Sequence, residues 1–267
     1  MNPKLKRLLR LSAFAVTGIG IVAGLAFVER SSDTRPVTEL RVHVQGPAGV
    51  HFLDADAVRR EVLFSSEGLL GTPLGRVDAP AIEAHLRGLP TVRKAEVYGT
   101  LDGVMHVKVD QRRPIIRVVN SDGSGFYIDD LGFTMPLSST FTARVPVAVG
   151  ELREPYAHSV AQVYASDSLA AVSWSDDLYA LARFMAHDEL WSALVDQVVV
   201  SDREGLVLIP RAGQQRILIG GADHLEEKFA CLKQYYQKGL PQVGWRRHAT
   251  VDLRFAGQVV CTRRPNS

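Results

Sequence analysis

The chain has 267 residues, 46% of them hydrophobic and 22% charged, with a formal net charge of +2. That length admits one large domain or two small ones, and the composition excludes a disordered chain. Near-balance of charge gives no bulk argument for nucleic acid.

The charge is unevenly placed. Lys4, Lys6, Arg7 and Arg10 precede "LSAFAVTGIGIVAGLAFV", Leu11 to Val28, a run of 18 residues without charge or proline. As a helix it would span roughly 27 Å, close to the hydrocarbon core of a bilayer. The basic residues in front predict a cytoplasmic N-terminus and an exported body. A cleaved signal peptide is the rival reading, with Gly24 and Ala26 as small residues before a cut, but the run is longer than such peptides use. The expected layout is a cytoplasmic tail at 1–10, a transmembrane helix at 11–28 and a polar linker at 29–37. Cys231 and Cys261 are the two cysteines; they do not make a disulfide framework, and the sequence leaves open whether they pair.

"ELRVHVQG" alternates Leu40, Val42 and Val44 with polar residues, the period of a half-buried strand. "LDADAVRREVLFS" has helical spacing, with Asp54 as its cap, and "DAPAIEAHLRGLP" begins at Asp78 with Pro80 in its first turn. "VRKAEVYG" and "VMHVKVDQ" are strands joined through the turn pair Asp102-Gly103. Strand, helix, helix, strand, strand over residues 38–111 predicts a three-stranded sheet with two helices on one face.

From Pro114 the pattern changes. Strands are expected in "IIRVV", around Tyr127 and in "RVPVAVG", then helices in "DDLYALARFMA" and "DELWSALV". Three strands follow in "QVVVSDREGLVLIPRAGQQRILIG". The last clear helix begins at "DHLEEKF", where Asp223 and Glu226 have capping-box spacing, and Gly239 with Pro241 is expected to close it. Its buried stripe is Leu225, Phe229, Leu232 and Tyr236, with Cys231 off it. "HATVDLRF" and "GQVVCTRR" form a hairpin around Ala256-Gly257, and Asp252 and Arg254 share a strand face there. The fold class is α+β: a βααββ domain, then a larger β-rich mixed domain at 112–264, with 265–267 as a tail.

Chemistry is hard to find. No phosphate-loop, zinc-protease or nucleophile-elbow motif occurs, and the eight histidines are scattered. The carboxylates of Asp129-Asp130 would face opposite sides of an extended strand. The Arg112-Arg113 pair reads as surface, as do Arg246-Arg247 and Arg263-Arg264. The aromatic residues show no basic interleaving of the kind that stacks bases. No catalytic residue, metal, cofactor or small-molecule substrate is assigned. The one acid–guanidinium pair to weigh as a catalytic site is Asp252 with Arg254.

These features resemble the FtsQ/DivIB family of bitopic bacterial cell-division proteins. "LPTVRKAEVYGTLDGVMHVKVDQRRPIIRV" resembles the end of the family's polypeptide-transport-associated (POTRA) domain and the opening of its β domain. "FYIDDLGFTMPL", "VPVAVG", "RILIGGADHLEEKFACL" and "VDLRF" resemble its further motifs. The chain departs from the family at "YGTLDG", in its very short tail and in the longer segment 151–176. The resemblance implies a non-enzymatic scaffold in the inner membrane at the septum. Its implied partners are FtsB and FtsL, with FtsW and its transpeptidase. It also implies a docking edge on the last strand: Arg254, Phe255, Gly257, Gln258, Val259, Val260 and Cys261. An exposed strand edge can accept an extended partner, and Arg263-Arg264-Pro265 would blunt self-association. The alternative is a POTRA-bearing periplasmic assembly factor for exported proteins.

Overall fold

The computed structural model describes residues 34–157, 159–163 and 173–264, together with Gly20. The expected tail, the expected span (Gly20 apart), residues 29–33 and residues 265–267 lie outside the described residues. Among the described residues no helix is long and apolar enough to cross a membrane. The chain divides into two compact units, the first ending at Gln111 and the second running from Arg112. The second also takes Pro47–Phe52 from the middle of the first.

The first unit runs β1 (Glu39–Gln45), α1 (Ala55–Ser65), a 3₁₀ turn (Leu74–Arg76), α2 (Ala79–Arg87), β2 (Val92–Gly99) and β3 (Val104–Gln111). β3 is central, parallel to β1 and antiparallel to β2. Alternation turns every second side chain to one face, where Leu40, Val97, Val107 and Val109 meet Val58, Val62, Ile82 and Leu86 of the helices. Each such side chain contributes about 1.5–3 kcal/mol on burial. Both expected caps form: the Asp54 carboxylate accepts from the Ala57 N–H at 2.6 Å, and that of Asp78 from Ala81 at 3.0 Å. At the β2–β3 turn Gly103 has φ +87°, and a Cβ there would lie 2.8 Å from the Pro36 carbonyl oxygen.

The expected linker ends sooner than residue 37. Val37 is buried, donates to the Thr72 carbonyl and accepts from the Gly71 N–H, while the Arg35 carbonyl accepts from Leu74. Proline and polar composition suggested a free segment, but its backbone groups find partners and Val37 has a place in the core.

The second unit contains β4 (Pro114–Val119), β5 (Gly125–Asp129), β6 (Thr134–Pro136), β7 (Val147–Gly150), α3 (Ser175–Ala186), α4 (Glu189–Leu194), β8 (Val195–Ser201), β9 (Gly205–Pro210), β10 (Arg216–Gly220), α5 (Leu225–Gln234), α6 (Leu240–Val243), β11 (His248–Asp252) and β12 (Val260–Arg263). They build a nine-stranded sheet in the order β12-β11-β10-β9-β8-β7-β4-β5-β6. β7 lies parallel between β4 and β8, β10 and β11 are parallel, and the other pairs are antiparallel. One face carries Val118, Ile128, Val198, Leu208, Ile217 and Val251 against Leu178, Met185, Trp191, Phe229 and Leu232 from the helices. On the opposite face at the β5–β6 end, Phe52 stacks edge-on against Tyr127 and Phe141 beside Met135 and Ala143.

Four local expectations are corrected. Glu226 and Asp223 do not form a capping box. His224, at φ +50°, is the cap residue of α5 and makes no side-chain capping bond, while the Asp223 carboxylate is 3.3 Å from the Lys228 ammonium. Gly239 and Pro241 do not close the helix: a π-turn (Tyr235–Gly239) leads straight into α6, where Pro241 sits in the first turn and needs no N–H. Tyr235, three residues after Leu232, is buried and Tyr236 only partly, so the stripe continues through Tyr235. Arg112 is not surface: its guanidinium is 2.8 Å from the fully buried Asp129 carboxylate and lies over the Phe133 ring.

Candidate functional site: the free edge of the large sheet

The nine-stranded sheet has two edges, finished differently. At β6 the Thr134 N–H donates to the Ala161 carbonyl at 2.8 Å, and the Val163 N–H to that of Gly132 at 3.0 Å. The Thr134 hydroxyl donates to the Ser159 carbonyl and accepts from the Ala161 N–H. Pro136 has no N–H to offer. Residues 159–163 therefore cover this edge.

At the other end β12 pairs with β11 alone, through Val251↔Cys261 and Asp252↔Val260. The Arg264 N–H donates to the Arg247 carbonyl at 2.9 Å. Antiparallel alternation then turns Thr262 and Val260 toward β11 and leaves the N–H and C=O of Cys261 and Arg263 pointing away from the sheet. No strand covers that row among the described residues.

The structure places the seven expected docking residues in two settings. Val260, 44% exposed, and the half-buried Cys261 belong to β12. Arg254, Phe255, Gly257, Gln258 and Val259 lie in the connection before it, so the strand is shorter than its composition suggested. The cause is Asp252. Its carboxylate accepts from the Arg254 backbone N–H at 3.0 Å, which draws the chain off the ladder after Leu253. It also grips the Arg254 guanidinium, at 2.9 Å to Nε and 2.6 Å to a terminal nitrogen. Asp252 and Arg254 therefore do not share a strand face: one ends β11 and the other starts the loop. Gly257 turns that loop at φ +66°, and Phe255 stands 53% exposed.

Behind the loop is a recess of about 130 Å³ lined by Lys228, Cys231, Leu253, Arg254, Phe255 and Gln258, among others. Its volume approaches the roughly 150 Å³ that admits a benzene ring. Lys228 and Leu253 were not singled out from the sequence. Lys228 sits one turn before Leu232 on α5, but which loop faces it depends on the strand order.

The Arg254 guanidinium holds the Asp252 carboxyl below the usual carboxylate range, so Asp252 is an ionised and occupied acceptor. Burial pushes the Cys261 thiol up, away from the thiolate that nucleophilic chemistry needs. Burial likewise raises the Tyr236 hydroxyl to about 12 and the Tyr235 hydroxyl further, and Tyr235 shares a 2.9 Å hydrogen bond with His248 Nδ1. Among the described residues no group of three or more His, Cys, Asp or Glu is placed to hold a metal ion. What this edge offers is backbone hydrogen bonding beside a recess of mixed lining, with Leu253 and Phe255 next to a fixed guanidinium.

The class of protein is set by a βααββ unit followed by a broad mixed sheet with one uncovered edge strand. The sequence model of POTRA-like domains matches residues 36–110, and that of the FtsQ/DivIB C-terminal related domain matches residues 113–262. The second match alone spans more than half of the chain. The chain belongs to the FtsQ/DivIB family of cell-division proteins, a non-catalytic family whose partners are other division proteins. No curated protein matches the chain.

Proposed function

We propose that the chain is a membrane-anchored division scaffold, held by residues 11–28 with its body in the periplasm at the septum. On this reading the β12 edge accepts an extended segment of an FtsB-type partner in concert with FtsL. It thereby helps couple septal peptidoglycan synthesis by FtsW and its transpeptidase to the division site. The observation that carries the proposal is the unpaired row on β12, beside an edge of the same sheet that is covered. Added strands gain affinity from main-chain bonds and specificity from pockets for alternate side chains. The recess beside Leu253 and Phe255 suits one apolar side chain, and Arg254 an acidic neighbour.

The test is capture of FtsB–FtsL by the full-length chain carrying Arg263→Pro, which removes one outward N–H while sparing the β11 ladder, or Val260→Lys. Both variants are expected to lose capture and septal recruitment while keeping a near-native far-UV circular dichroism spectrum. Normal capture by both would remove β12 as the docking edge.

A further inference from the structure

The first unit exposes five large apolar side chains: Leu63 (38%), Phe64 (82%), Leu70 (53%), Tyr98 (40%) and Leu101 (58%). All five lie at one end of it. The parallel register Glu39↔Val104 puts the starts of β1 and β3 together, and Gly99↔Met105 brings the end of β2 to the same place. A hydrogen-bond chain leads from Val62 through Ser66, Leu69 and Thr72 to Val37, which brings the last turn of α1 there too. Leu70 adjoins Gly71, whose N–H donates to Val37, and the Leu101 carbonyl accepts from the Arg35 guanidinium. The far end, at Gln45 and Asp110, exposes no large apolar side chain.

This is the end at which the chain enters the unit. Only residues 29–33 separate Thr34 from the uncharged run 11–28. Five residues reach at most about 17 Å, and the polar layer of a bilayer leaflet is itself roughly 5–7 Å deep. If residues 11–28 span the membrane, as proposed above, this end is held within reach of the lipid surface. Exposed Arg35 and Arg76 are offset there by exposed Glu67 and Asp102, and Arg41 is paired with Glu39, so electrostatic attraction supplies little. We propose that Phe64, Leu70 and Leu101, flanked by Leu63 and Tyr98, seat this unit in the bilayer interface. The contact is a second, peripheral one that fixes the unit's orientation at the end of its anchor.

Wedged apolar side chains penetrate about 5–10 Å into the headgroup–acyl boundary, a depth that brominated acyl chains report. The full-length chain is reconstituted in phosphatidylethanolamine–phosphatidylglycerol vesicles with and without bromine. It carries Phe64→Trp, Leu101→Trp or, at the far end, Gln45→Trp, and emission is taken as the difference from the parent chain. Bromine is expected to remove about half of the added emission at positions 64 and 101 and under about a tenth at position 45, equally at low and high salt. Equal quenching at the two ends, or none at positions 64 and 101 while the chain resists alkaline carbonate extraction, overturns the contact but leaves the anchor standing. Release by carbonate overturns both.

Discussion

The two edges of the large sheet present the same kind of backbone and are treated oppositely. β6 is three residues long, ends in Pro136 and is hydrogen-bonded at Thr134 by Ser159 and Ala161. β12 is four residues long and has a neighbour on one side only. Open edges invite unwanted pairing, and proteins suppress them with proline, charge or cover. β6 uses proline and cover. β12 keeps a bare row and carries Arg263 at its end, enough to discourage a second copy without blocking a matched segment.

Each edge is also braced by an ion pair, and the pairs differ in burial. Asp129, at the end of β5, is fully buried against the largely buried Arg112 and accepts from the Leu131 and Phe133 N–H groups. Asp252 and Arg254 are partly exposed. The largest expected effect follows: Asp129→Ala leaves Arg112 buried without its partner and should cost about 3–5 kcal/mol in urea unfolding. Next, Thr134→Val keeps volume but leaves the Ala161 N–H and Ser159 carbonyl without their bond, at about 1–3 kcal/mol. It should also loosen the β6 cover, seen as concentration-dependent self-association, with partner capture unchanged. Gly220→Ala meets a φ of +76° and the Arg254 Cγ 3.0 Å from the new Cβ, so about 1–2 kcal/mol is expected by thermal unfolding.

The smallest effect is at Asp252→Asn, under about 1 kcal/mol at neutral pH because water screens the pair. Its signature is the pH profile. Asp252 has a lowered carboxyl, so its stabilising contribution is present above the ordinary value near 3.9 and is lost as pH falls through the folded value. Burial raises Asp129 despite Arg112, so its linkage has the reverse sign: stability present at low pH declines as pH rises through its folded value. Asn at 252 should flatten the acid loss, and Asn at 129 should flatten the decline on the rising side. The same sign at both positions would break the contrast between the edges.

What could be read from the residues alone was local. Asp54, Asp78 and Asp102-Gly103 act within a few positions of themselves, and the structure places caps and turn where those signals fall. What was illegible depends on partners far along the chain. Asp129 and Arg112 are 17 apart, and neither type announces burial by itself. Trp174 and Ser175 begin α3 on the carboxylate of Glu154, a cap supplied from 20 residues upstream. The nearest capping pattern failed at Asp223 because the helix starts one residue later, with His224 at the cap, and the Asp223 carboxylate lies by Lys228 instead. At the candidate site the composition of "GQVVCTRR" identified a strand, but the Asx contact of Asp252 determined where it begins.

The six residues Pro47–Phe52 leave the first unit after β1, join the second and return before α1. The chain therefore passes between the units three times, at 46–47, 52–53 and 111–112. That limits recombination: a chimera joined only at residue 112 would strand Phe52 away from Tyr127 and Phe141, so a transplantable cassette must carry the 47–52 loop with it.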